Sequence, residues 1–170
     1  MAKRKYEDLQ SLTESYGKKT FAFLQNVKTS GKKIVSAYAD YLGGPKTAVS
    51  AVPPHGDFDS LALYRDEAFD CYGRSVIFLE PISMGICTKI ENKSDDGATF
   101  VRTVIEFHPM DAGLLIHVGS QSEKFHIVNG LETVGDQICE AIFQDVHRAF
   151  SLELDQAQGR SRIGFLPNTI

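Results

Sequence analysis

The chain has 170 residues, 42% of them hydrophobic, 24% charged and 10% aromatic, with a formal net charge of −4. Usage this close to the globular average excludes collagen-like, low-complexity and wholly disordered chains. No apolar run approaches the ~20 residues that cross a bilayer, and Met1–Glu7 lacks the apolar core of a signal peptide, so no membrane span is expected.

The length predicts one domain over 1–170. Cys71, Cys87 and Cys139 are odd in number, far apart and outside any CxxC spacing, which predicts a reducing, cytoplasmic setting. Charge is unevenly spread. Residues 1–46 hold nine basic and four acidic side chains, whereas residues 47–170 hold nine basic and eighteen acidic ones. A basic helical arm lying on an acidic body, its own or a partner's, would account for this. An anionic partner such as nucleic acid would use the same lysines: Lys18, Lys19, Lys28, Lys32 and Lys33.

The segment 1–44 reads as helix. Tyr6, Leu9, Leu12, Tyr16, Phe23 and Val27 recur at helical spacing, and Ile34, Val35, Tyr38, Tyr41 and Leu42 continue it until Gly43-Gly44-Pro45. Either two helices hinged near Thr29–Gly31 or one helix of about 38 residues is predicted. Its aromatic stripe must be buried on something.

From 46 to 128 the period becomes that of strands. Thr47–Val52, Leu61–Arg65, Ala68–Tyr72, Val76–Glu80, Gly85–Glu91, Thr99–His108, Leu114–Gly119 and Lys124–Val128 are candidates, with turn residues at 81–84, 94–97, 109–112 and 120–123. Short connections predict an antiparallel meander of five to seven strands. Four-residue turns at those places would set Ile86 opposite Ile105, Ile105 opposite Ile116 and Ile116 opposite Ile127, all on one face. Within 129–150, Asn129 and Glu132 resemble a capping box. The stripe Leu131, Val134, Ile138, Ala141, Ile142, Val146 and Ala149 predicts a helix covering that apolar face. The tail, 151–170, has no clear period, and Gly159–Arg162 reads as turn. The fold class is therefore α+β.

On the other sheet face the same register sets His117 against His126, flanked by Arg102 and Glu106. Such a face could bind a ligand. The two imidazoles could share zinc or nickel with Glu106, or titrate as a pair. Cys87, two strands away, reads as a small buried hydrophobe. His55, Asp57 and Asp59, in the loop His55-Gly56-Asp57-Phe58-Asp59, offer a second candidate metal set, for a metal-dependent enzyme or a small-ligand binder. The usual phosphate-loop, dinucleotide, nucleophile-elbow and zinc-protease motifs are missing, and no cofactor is implied. The first expectation is thus a non-enzymatic module that binds a protein partner or a second copy through the aromatic helix and the sheet face.

Overall fold

No proline interrupts residues 2–42. In a computed structural model of the chain, which describes residues 2–93, 97–151 and 163–167, they form one continuous helix, α1 (Ala2–Leu42). The alternative of two hinged helices is not realised. Gly31 is a contact point: a Cβ there would lie 2.8 Å from both Met84 Sδ and the Phe69 ring. Strand β1 (Val49–Val52) follows, then a long excursion, then β2 (Ile82–Glu91), β3 (Gly97–Pro109), β4 (Leu114–Val118) and β5 (Glu123–Ile127). Helix α2 (Gly135–Phe150) and a further strand, β6 (Ile163–Pro167), complete the described chain.

The sheet is antiparallel in the order β1-β2-β3-β4-β5, with β6 paired to the first five residues of β3. The sequence gives no periodic signal for β6. It pairs through Gly164, whose missing side chain makes room for the Phe100 ring on β3. The turn proposed at 94–97 lies partly outside the described residues, and the one at Gly159–Arg162 wholly so.

The apolar face is the one expected. Ile82, Met84 and Ile86 of β2, Ile105 and Phe107 of β3, Ile116 and Val118 of β4 and Ile127 of β5 are buried in one cluster with Phe23, Val27, Ile34 and Tyr38 of α1 and Ile138 and Ile142 of α2. Both helices therefore lie side by side on the same sheet face. Tyr38 reaches Thr88 of β2, whose hydroxyl donates to the phenol oxygen over 3.4 Å, and Tyr41 donates to Glu140 of α2.

The pairing differs from expectation by two residues at each hairpin. Ile86 faces Thr103, Ile105 faces Val118, and Ile116 faces Phe125. Gly113 and Gly119 explain two of these shifts. They have φ of 76° and 70°, so they belong to the turns rather than to the strands beside them. Moving a turn centre by one residue moves the pairs by two, which keeps every side chain on its face. The expected His117–His126 couple is lost in the same way: His117 faces Lys124 and His126 faces Leu115.

Leu61–Arg65, Ala68–Tyr72 and Val76–Glu80 are not strands. β1 fills the edge of β2 from Gly85 to Thr88, and before Gly85 Phe69 makes an isolated bridge to Met84. The excursion instead carries a single 3-10 turn at Asp66–Ala68. Nor does the capping box form. A 3-10 turn spans Leu131–Thr133, and α2 starts after Val134, with no side-chain cap. Among the described residues no helix is long and apolar enough to cross a membrane.

Gly119 is held from two sides, by its left-handed backbone and by the Asp145 carboxylate, whose Cγ would lie 2.6 Å from an added Cβ. Replacing Gly119 with Ala should lower the unfolding free energy by about 1–3 kcal/mol, read as a fall in the urea midpoint. Gly17→Ala, at an open position of α1, should instead raise the helical signal in far-UV circular dichroism.

Candidate functional site

Four places carry chemistry or unpartnered surface. The first is a buried polar tie. Asp145 sits in the apolar stripe of α2, three residues beyond Ile142, and is only 1% exposed. Its carboxylate accepts from the Thr103 hydroxyl on β3 and from both the backbone N–H and the hydroxyl of Ser120, each over 2.9 Å. A buried carboxylate is tolerated because donors surround it, and here they join helix, sheet and turn. Asp145 is not among the residues singled out from the sequence, although an acid seven residues after Ile138, inside the apolar stripe, is a legible signal.

The second lies across the sheet. Arg102, on the face away from the helices, is 6% exposed because the loop after β1 folds over it. Its Nη1 donates to the carbonyls of Pro53 (3.2 Å) and Gly56 (2.7 Å), and its guanidinium lies 4.9 Å from the Phe58 ring centre. Phe58 in turn meets Phe100 edge-on at 5.3 Å. Arg102 thus anchors a loop rather than standing open on the sheet face. Its burial lowers the guanidinium pKa from the usual value.

Between the stretches of β3 paired to β4 and to β6, residues 102–104 have no strand partner on that edge among the described residues. A 260 Å³ cleft opens there, lined by Pro54, His55, Arg102, Val104, Gly119, Ser120 and Asp145. Of the loop trio His55, Asp57 and Asp59, only His55 lines it. Asp59 instead accepts from the backbone N–H of Leu61 over 2.8 Å, closing a local turn. The three do not converge on a common point.

The third place is on the open part of the same sheet face. Glu106 faces His117 across the β3–β4 pair, and His108 lies two residues along β3 on the same side. Glu106 Oε2 is 3.1 Å from His108 Nε2 and 3.8 Å from His117 Nδ1, and the two imidazoles stack with centres 4.0 Å apart. Burial, with His108 alongside, lowers the His117 pKa below its ordinary 6.5. His126 is not part of this group; its Nε2 is 2.8 Å from the Ala112 carbonyl.

The fourth is apolar. From Arg4 to Tyr16 every side chain of α1 is exposed, and burial begins only at Thr20. Tyr6, Leu9, Leu12 and Tyr16 are 54–66% exposed, although Leu9 and Tyr16 lie on the helix face that buries Val27 and Ile34 further on. A second apolar surface is the groove beneath the excursion, about 820 Å³, lined by Val35, Leu63, Phe69, Tyr72 and Met84 among others. Of the five lysines singled out, Lys28 pairs with Asp66 (3.2 Å) and Lys18 with Glu14 (3.3 Å), Lys32 lines the groove, and Lys19 and Lys33 are exposed.

Burial pushes the thiols of Cys87 and Cys139 up to about 11 and raises that of Cys71, so all three stay protonated at neutral pH and lack thiolate reactivity. Comparison with known protein families, curated proteins and solved structures finds no match.

Arg102→Met removes the donor that holds the Pro53 and Gly56 carbonyls. It should cost about 1–3 kcal/mol in urea unfolding and speed proteolysis at residues 54–59.

Proposed function

We propose that the chain is a self-associating interaction module, in which the free half of α1 docks into the excursion groove of a second copy. The observation that carries this reading is the stripe Tyr6, Leu9, Leu12 and Tyr16, apolar and exposed in line with a buried one. Burying Leu9 and Leu12 alone would each contribute about 1.5–3 kcal/mol.

The occupant follows from geometry and charge. At 1.5 Å per residue, Leu9 lies about 33 Å along a continuous helix from Gly31, which itself lines the groove. The arm therefore cannot fold back into its own groove. The two surfaces also differ in charge. Residues 1–33 hold eight basic and three acidic side chains, while residues 57–80 hold six acidic and two basic. Leu61, Leu63, Tyr72, Val76 and Phe78 give the acidic segment an exposed apolar character to match the arm. Reciprocal exchange of arms would close a two-fold dimer with the same contact made twice.

Light scattering after size exclusion tests this against the 18.8 kDa of one chain. Assembly should grow with protein concentration and weaken with added salt. Leu9→Asp with Tyr16→Asp should raise the dissociation constant at least about thirtyfold with the fold unchanged, and Leu63→Asp should do the same. A wild-type chain that stays monomeric up to about 100 μM, some hundredfold above a micromolar constant, overturns the reading. Loss of assembly in the arm variant but not in Leu63→Asp removes the groove from it.

A further inference from the structure

We propose that Glu106, His108 and His117 bind one divalent transition-metal ion of the zinc class on the open face of the sheet, with solvent completing its coordination. The three donors come from two neighbouring strands: the pleat aligns Glu106 with His108, and the register sets His117 opposite Glu106. A tetrahedral ion with bonds near 2.1 Å separates its ligand atoms by about 3.4 Å. The two measured separations, 3.1 Å from Glu106 Oε2 to His108 Nε2 and 3.8 Å to His117 Nδ1, bracket that value. Among the described residues this is the one group of three His, Cys, Asp or Glu side chains whose donor atoms all lie within 4.8 Å of one another.

The donor chemistry selects the ion. Two imidazoles and one carboxylate suit zinc, nickel, cobalt or iron, whereas magnesium and calcium prefer oxygen throughout. Glu106, with a side chain 47% exposed, leaves an approach from solvent. The site differs from both metal sets suggested by the sequence: His108 replaces His126, and the loop trio takes no part.

The test is titration of the full chain, without an affinity tag, with Co²⁺ followed by visible absorption and with Zn²⁺ followed by calorimetry. One ion per chain is expected, and one equivalent of Zn²⁺ should displace the Co²⁺ signal. Glu106→Gln and His108→Ala should each weaken binding at least tenfold, and His108→Ala with His117→Ala should abolish the Co²⁺ spectrum. His126→Ala should bind as the wild type does. Glu106→Gln alters a half-exposed side chain only, so its folding can be verified by circular dichroism. The proposal is overturned if no ion binds stoichiometrically below 1 mM, or if folded Glu106→Gln and His108→Ala chains bind as tightly as the wild type.

Discussion

Two helices compete for one greasy sheet face, and the way they share it shapes the rest of the molecule. α2 is short enough to lie wholly on β3 and β4. α1 is more than twice as long and can seat only its second half, from Phe23 to Tyr38, beside it. A continuous helix curves only gently, because each turn is tied by hydrogen bonds to the next. Its first part, residues 4–16, runs on beyond the body and is exposed. The apolar residues that would have been core had the sheet been wider are carried into solvent on a rigid rod, and the proposed exchange with a second copy rests on that.

The sheet has two differently finished faces. Against the helices its buried residues are apolar apart from Thr88 and Thr103, and the hydroxyl of Thr103 is spent on Asp145. On the other side it is divided. Near β1 the loop through Pro53 and Phe58 roofs Arg102, and a buried cation is accommodated by two backbone carbonyls and an aromatic ring. Near β4, Glu106, His108 and His117 stand together on that face, each partly exposed. The same strand, β3, supplies Arg102, Glu106 and His108, so seven residues span the change from one setting to the other.

Which side each strand residue faces was legible in the sequence, because a period of two survives any even slip. The pairs themselves were not. They depended on whether Gly113 and Gly119 end a strand or begin a turn, and a glycine's tolerance of positive φ is invisible until the hairpin closes. This small ambiguity decided the chemistry, since it removed His126 from His117 and set His117 opposite Glu106. The excursion misled for a different reason. Its runs of Leu, Tyr, Val and Phe carry strand propensity, but the edge they needed was taken by β1. Gly31 looked like a hinge from its residue type, whereas its role comes from what lies against it. Asp145 was readable from its place in the stripe, had a polar residue at a core position been treated as a tie.

The joint at Gly31 also acts as the fulcrum of a lever. Some 44 Å of helix extend from Gly31 to Ala2, at about 1.5 Å per residue, so a tilt of about 10° at that seat sweeps the tip by about 8 Å. Bare backbone at position 31 lets the rod rest directly on the Phe69 ring and Met84 sulfur, two contacts belonging to the excursion and to β2. Both are core residues, so the seat of the rod is set by the packing of the body itself.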